Sequence, residues 1–141
     1  MGTEQSSSAA VARPKVLIID DDDLVSGTLV HSLKAEFDVF AINDAQQALD
    51  RVLSDPTIDL VYCDLMMKGM SGMDIYDEVR SRAPDQLRKL VFMTGGAFTR
   101  RATNFVEEVG DAVVYKPFSI VPETRRRLGL PAPPTSAARS R

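Results

Sequence analysis

The chain has 141 residues, of which 44% are hydrophobic and 26% charged, as in a single globular domain with a buried core. Its net charge is −3, but residues 119–141 hold five Arg and one Glu. The other 118 residues hold 12 basic and 19 acidic groups, and such an acidic body is a poor non-specific binder of nucleic acid. No apolar run approaches the roughly 20 residues of a membrane helix. We therefore expect neither a nucleic-acid partner nor a membrane span.

Cysteine content and the N-terminal composition bear on location. Cys63 is the one cysteine, which excludes an internal disulfide, and residues 1–15 contain no apolar core typical of a secretory signal. Both observations favour a cytoplasmic location. Residues 1–14 are rich in Ser and Ala, and residues 129–141 in Pro, Ala and Ser. We expect both ends to be disordered and residues 15–128 to form one domain.

Five short β-type runs alternate with helix-type segments through this domain. The first, third and fourth runs are continuously apolar, which is typical of central parallel strands covered on both faces. The predicted strands are Val16–Ile19, Asp38–Ile42, Leu60–Cys63, Leu90–Thr94 and Ala112–Tyr115.

Helical periodicity fills the intervals between these strands. The first helix is predicted from about Asp23 to Lys34, with Leu24 and Leu33 on its apolar face. The later helices are predicted to start at caps Asn43 and Ser71, to span Thr99–Val109, and to run from about Pro122 to Gly129. The alternation predicts right-handed βαβ units, hence an α/β fold with a doubly wound five-stranded parallel sheet and helices on both faces.

Polar side chains stand where these strands end. In such sheets the ligand lies beyond the carboxyl ends of the strands. An acidic run, Asp20 to Asp23, follows the first strand, Asp64 the third, Thr94 ends the fourth, and Lys116 follows the fifth. Carboxylate oxygens in this number suit a hard cation, above all Mg²⁺. Helix capping is the alternative role for the acidic run, but a cap uses one carboxylate, which we assign to Asp22 or Asp23.

In this order and spacing, the residues from about Lys15 to Leu128 resemble the response-regulator receiver domains of two-component signalling. The resemblance implies a flavodoxin-like sheet of strand order 2-1-3-4-5. It implies that Asp64 is the phosphoacceptor, that Lys116 pairs with its carboxylate, and that Thr94 turns toward the phosphoryl group. It also implies a cis bond between Lys116 and Pro117. The implied Mg²⁺ ligands are Asp20, Asp21, Asp64 and the backbone carbonyl of Met66.

The same resemblance implies the partners. The phosphoryl donor would be a phosphohistidine on a histidine kinase or a histidine phosphotransfer protein, and the output would be a contact with a downstream protein. The segment "TGGAFT" and the non-aromatic Val113, three residues before Lys116, also resemble the receivers of hybrid histidine kinases. Lys68 replaces a usual Pro, and Val113 replaces the Tyr or Phe of many relatives. Because the last helix is also short, we expect a monomer or a weak dimer.

Two other functions fit parts of this pattern. A phosphorylation-independent adaptor of the same fold would not need the full set of carboxylates, hydroxyl and lysine. A phosphatase that forms an aspartyl-phosphate would carry a second Asp two residues after the nucleophile, where this chain has Met66. We therefore expect no enzyme activity beyond phosphoryl transfer and hydrolysis at Asp64 itself.

Overall fold

A computed structural model of the chain describes residues 12–96 and 99–131. Most of the two segments predicted to be disordered, 1–14 and 129–141, therefore lies outside the described residues. One parallel sheet of five strands organises the domain, and its strands, numbered along the chain, lie in the order 2-1-3-4-5. This confirms the predicted fold class and strand order. The strands are β1 Lys15–Ile19, β2 Asp38–Ile42, β3 Leu60–Asp64, β4 Leu90–Thr94 and β5 Val113–Tyr115.

Helices cover both faces of the sheet. One hydrophobic core lies on the face covered by the second, third and fourth α-helices in chain order, and a second lies on the face covered by the first and the last. Every residue of β3 and β4 is buried, as their continuous apolar sequences predict. Short 3-10 helices occupy Pro84–Lys89 and Gly110–Ala112. The α-helices are α1 Asp23–Leu33, α2 Ala45–Ser54, α3 Gly72–Arg82, α4 Arg100–Val109 and α5 Ile120–Arg127.

The helix starts show which polar residues act as caps. Asp22 caps α1, because its side chain accepts hydrogen bonds from backbone N–H groups of the first turn. The sequence alone leaves the cap open between Asp22 and Asp23. Ser71 caps α3 in a full capping box. The prediction of Asn43 as the cap of α2 is wrong. Asp44 is the cap, with its Oδ2 accepting from the N–H of Gln47 at 2.9 Å, whereas Asn43 Nδ2 donates to Asp23 at 2.9 Å.

The predicted apolar face of α1 is also corrected. Leu33 is fully buried, but the Leu24 side chain is 81% exposed. The two positions are nine residues apart, and at about 100° per residue they lie half a turn from each other. They cannot both face the sheet. Leu24 instead projects from the first turn of α1, at the edge of the sheet where the carboxylates lie.

The last helix differs from its prediction at its start. It begins at Ile120, two residues before Pro122. Proline is tolerated there because the N–H groups of the first helical turn have no partner within the helix. Gly129 ends the helix as predicted, with φ at +72°. Its N–H donates to the Arg126 carbonyl at 3.1 Å, and the N–H of Leu130 donates to the Arg125 carbonyl at 2.8 Å, which is a Schellman motif.

No helix among residues 12–96 and 99–131 is long and apolar enough to cross a membrane. Cys63 is fully buried, as its position inside β3 predicts.

A buried hydrogen bond attaches α5 to the centre of the sheet. The hydroxyls of Tyr62 on β3 and Thr124 on α5 lie 2.6 Å apart, and both residues are fully buried. Burial raises the pKa of Tyr62 to about 12, so the phenol is neutral. The ring of Phe118, which leads into α5, lies 5.9 Å from the Tyr62 ring. The position of α5 therefore depends on a specific polar contact as well as on apolar packing.

Replacing Tyr62→Phe should destabilise the fold by about 1–2 kcal/mol, because it leaves the Thr124 hydroxyl buried without a partner. Urea unfolding followed by circular dichroism measures the change. The double variant Tyr62→Phe/Thr124→Val removes both polar groups and should cost less than the sum of the two single variants. Tyr115→Phe is the matched control, since Tyr115 is 54% exposed. Equal effects at Tyr62 and Tyr115 would contradict the assignment.

Candidate functional site

Three carboxylates meet at the carboxyl edge of the sheet. Strands β1 and β3 are hydrogen-bonded neighbours, with Ile19 beside Cys63 in the register. The residues that follow, Asp20 and Asp64, are therefore brought side by side, and both are buried, at 1% and 9% exposure. Asp21 is exposed beside them. One carboxylate oxygen from each of the three lies within 4.8 Å of the others.

Lys116 places a positive charge against this group. Its Nζ lies 3.2 Å from Asp64 Oδ1 and 3.6 Å from Asp20 Oδ2. Lys116 follows β5, and its N–H donates to the Thr94 carbonyl at 2.8 Å, which fixes the backbone that carries the side chain. The Lys116–Pro117 bond is cis, as the resemblance implies. The Lys116 ammonium therefore pairs with two buried carboxylates.

A single ammonium does not compensate for the burial of these acids. Burial raises the pKa of Asp20, and the nearby Asp21 adds to the effect, against the opposing contributions of the Asp22 N–H and Lys116. Burial likewise raises the pKa of Asp64, with the Asp20 charge as the next cause. Both shifts mean that the ionised carboxylates are short of stabilising positive charge.

The donor set fits a hard cation. Asp20 Oδ1 accepts from the N–H of Asp22 at 2.9 Å, but Asp20 Oδ2 is buried and accepts no hydrogen bond from the described residues. Asp21 Oδ2 accepts from the N–H of Lys68 at 3.1 Å, which holds that carboxylate toward the loop after β3. Clustered carboxylate oxygens, one of them with no hydrogen bond from the described residues, suit Mg²⁺, which binds through a few carboxylates and keeps several waters.

The other two predicted site residues have different surroundings. Thr94 is 1% exposed, and its hydroxyl is bonded to Gly96, donating to the carbonyl at 2.9 Å and accepting from the N–H at 3.0 Å. Within the described part of the chain, it has no hydrogen bond to a carboxylate. Met66 lies two residues after Asp64, with its side chain 41% exposed. The assignment of its backbone carbonyl as a Mg²⁺ ligand stays a prediction.

Gly72 is a residue that the sequence reasoning missed. It is the first residue of α3 and is buried against β3, with its N–H donating to the Leu65 carbonyl at 3.0 Å. A Cβ at this position would lie 2.7 Å from the Asp64 carbonyl oxygen and 3.0 Å from Leu65 Cα. These are backbone atoms that cannot swing away, so only glycine lets α3 pack this closely behind Asp64. A glycine directly after a helix cap is the one signal that the sequence offers.

Comparisons with known proteins agree with this fold. The model of the response regulator receiver domain family matches residues 16–122. The "DNA-binding response regulator MtrA" of Mycolicibacterium smegmatis is 34% identical over 120 residues, covering 82% of this chain and 51% of that protein. The chain thus spans about half the length of the curated relatives it matches.

Solved structures agree on the fold. The chemotaxis protein CheY4 of Vibrio cholerae superimposes with a TM-score of 0.66 at 24% identity, over 83% of this chain and 99% of that chain. A CheY-like receiver domain from Methanospirillum hungatei superimposes with a TM-score of 0.70 at 18% identity, over 84% of this chain and 95% of that chain.

Fold and site therefore define a class of protein. It is a doubly wound α/β domain with an acidic cluster and a lysine at the carboxyl edge of its sheet. The chain belongs to the response-regulator receiver domain family of two-component signalling. Members of this family act as signalling switches and generally bind Mg²⁺ in an acidic pocket.

Mg²⁺ should stabilise the chain at neutral pH, by about 1.4 kcal/mol at a concentration about ten times Kd. Since Asp20 and Asp64 have raised pKa values in the folded state, protons compete with the cation at higher pH than for an ordinary Asp. Without metal, the same shifts destabilise the fold at neutral pH, and this cost is relieved as the pH falls through the raised values. The rise in melting temperature with Mg²⁺ should therefore shrink from about pH 7.5 to about pH 5.

Asp21→Asn is the control for this titration. It should weaken the Mg²⁺ response while leaving the metal-free protein at least as stable as the wild type, because it removes one like charge from the cluster. An undiminished Mg²⁺ response in Asp21→Asn, or one that grows toward acidic pH, would contradict the assignment.

Proposed function

We propose that this domain takes a phosphoryl group onto Asp64 from a phosphohistidine of a histidine kinase or a histidine phosphotransfer protein, and then signals by protein contacts. The observation that carries the proposal is the position of Lys116 Nζ, within 3.2 Å of Asp64 and 3.6 Å of Asp20 at the edge of the sheet. A nucleophilic carboxylate, a fixed ammonium and a carboxylate cluster suited to a cation stand together there.

The chemistry needs little beyond position and charge. A carboxylate oxygen of Asp64 attacks the phosphorus atom, the P–N bond to the imidazole breaks, and the electron pair of that bond goes to the departing histidine. Phosphoryl transfer is accelerated mainly by in-line placement and by neutralising charge on the equatorial oxygens. Lys116 can follow that charge, since its ammonium already contacts the carboxylate that becomes the acyl phosphate.

Mg²⁺, when bound by Asp20, Asp21, Asp64 and the Met66 carbonyl, would supply further positive charge for the phosphoryl oxygens. The rest of the site comes from the chain itself. Asp20 is buried where its charge is poorly screened, so it would hold a cation close to Asp64. Lys116 keeps the Asp64 carboxylate in reach by a direct ion pair at 3.2 Å.

Thr94 would be the residue that reports the new charge. Phosphorylation adds about −1.5 to −2 charges at Asp64. To donate to a phosphoryl oxygen, the Thr94 hydroxyl must give up its present bond to the Gly96 carbonyl. That exchange couples the state of Asp64 to the backbone that follows β4.

An apolar surface beside the site suits the donor protein. Leu24 projects from the first turn of α1, and a cleft of about 210 Å³ next to α1 is lined by Val25, Leu29, Pro117 and Phe118 among others. Lys116 also lines this cleft, so a protein seated on it would reach Asp64 from the solvent side. A helix that carries the phosphohistidine is the natural occupant, because an amphipathic helix buries such apolar residues well.

The remaining expectations follow from charge and composition. The relative MtrA is described as DNA-binding, but the acidic body of this chain makes duplex DNA an unfavourable partner for the receiver domain. We expect the domain to act in the cytoplasm as a monomer or a weak dimer. A phosphorylation-independent adaptor is the competing function, and the first experiment below separates the two.

Incubation with acetyl phosphate and Mg²⁺ should add one phosphoryl group to the wild-type chain, and Asp64→Asn should abolish the addition. Intact-mass spectrometry reads this directly. Asp85→Asn removes an exposed carboxyl from the 3-10 helix Pro84–Lys89; it controls for the loss of a charge and should still be phosphorylated. A wild-type chain that never gains the mass, or an Asp64→Asn variant that gains it equally, would favour the adaptor.

Leu24→Ala should slow phosphoryl transfer from a histidine kinase that phosphorylates the wild-type chain, by at least about fivefold, as for a buried interface residue. The reaction with acetyl phosphate needs no docked protein and serves as the internal reference. Leu130→Ala is the matched control, because Leu130 is also exposed, at 37%, but follows α5. Equal slowing by both variants, or by neither, would rule out this docking surface.

A further inference from the structure

The first turn of α4 carries two arginines, Arg100 and Arg101, and no acidic residue. Positive side chains are unfavourable there, because the N-terminus is the positive end of the helix dipole. Arg101 is compensated by α3: its Nη2 donates to Asp74 Oδ1 at 3.1 Å and to Asp77 Oδ2 at 3.3 Å. Arg100 is exposed, and no ion pair of its side chain occurs within residues 12–96 and 99–131.

Asp74 connects this contact to the loop that follows Asp64. Its other oxygen, Oδ2, accepts from the Ser71 N–H at 2.8 Å and from the Ser71 hydroxyl at 3.1 Å. Those bonds close the capping box at the start of α3. One oxygen of Asp74 therefore holds the end of the loop after β3, and the other holds the first turn of α4.

Packing differs along α4. One turn after Arg101, on the same face, the Phe105 ring packs edge-on against Phe92 at 5.0 Å and against Tyr76 at 5.1 Å. A cleft of about 190 Å³ runs between α3 and α4 along this face, and its lining includes Asp77, Arg101 and Glu108. The middle of α4 is thus held by packed rings, whereas its first turn is held by one small core residue, Ala102, and by the ion pairs of Arg101.

We propose that Arg101, with Asp74 and Asp77, forms a latch that holds the first turn of α4 in its unphosphorylated position, so that phosphorylation of Asp64 works against it. The proposal rests on the phosphoacceptor role proposed above for Asp64. When the Thr94 hydroxyl leaves Gly96, the backbone after β4 is free to shift, and α4 can pivot about Phe105. The latch resists that pivot because its bonds require the present distance between α4 and α3.

A contact shifts a two-state equilibrium only if it differs between the states. If the latch is made only in the unphosphorylated state, its removal should favour the phosphorylated conformation. Arg101 is 54% exposed, and exposed ion pairs change such equilibria by about two- to fivefold. The effect should fall at high salt, because exposed charges are screened over about 10 Å at 0.1 M.

The test is the affinity for beryllofluoride, a phosphoryl mimic, in the presence of Mg²⁺, measured by calorimetry on the full chain. Arg101→Gln should bind about two- to fivefold tighter than the wild type, and 1 M salt should remove most of the difference. Arg100→Gln loses the same charge from the same helical turn and should bind as the wild type does. Asp77→Asn removes one α3 carboxylate of the latch and leaves the capping box intact, so this variant should also bind beryllofluoride more tightly.

The measured affinities separate the latch from the phosphoacceptor proposal. Unchanged or weaker binding by Arg101→Gln, or an equal gain in Arg100→Gln, overturns the latch while leaving the phosphoacceptor proposal intact. A wild-type chain that does not bind beryllofluoride overturns the phosphoacceptor proposal, and the latch with it. Tighter binding by Arg101→Gln and Asp77→Asn, with Arg100→Gln unchanged, supports the latch.

Discussion

The burial of Asp20 beside Asp64 is the constraint on which the rest of this structure depends. Two like charges, at 1% and 9% exposure, would repel each other in a poorly screened site. The arrangement is tolerable because β1 and β3 are paired and present both residues at one edge, where Lys116 from the end of β5 reaches them. The raised pKa values of both acids show that one lysine is not enough. The same shortage of positive charge that destabilises this edge makes it receptive to a cation.

The features that depend on strand order could be predicted from the sequence. The carboxyl ends of parallel strands share an edge, so an Asp after the first strand and an Asp ending the third are brought together by topology alone. The continuously apolar runs identified the central strands for the same reason, since only strands covered on both faces have that composition. The position of Lys116 at the same edge also follows from topology, whereas its distances to the two acids could be read only from the structure.

The features that depend on facing or on long-range pairing could not be predicted in this way. Leu24 was assigned to the wrong face of α1 because several apolar residues permit more than one face, and only the packed helix decides which is buried. Gly72 looked like an ordinary residue after a cap, because its need for glycine comes from the Asp64 carbonyl, eight positions earlier in the chain. The pairing of Arg101 with Asp74 joins α4 to α3. The spacing of apolar residues along a sequence does not predict the distance between two helices.

The two faces of the sheet are not equally ready to move. On the α5 side, a fully buried hydrogen bond joins Tyr62 and Thr124. Breaking it would leave two buried hydroxyls without partners, which is unfavourable. On the α4 side, the first turn is held by exposed ion pairs that water can replace. Stability within a domain is uneven, and the elements that respond to a signal come from its weaker parts.

Val113 is buried in β5 with a short side chain, so it provides no large ring to carry a change outward along that strand. If Asp64 is the phosphoacceptor, as proposed above, a change in its charge meets less resistance toward α4 than toward α5.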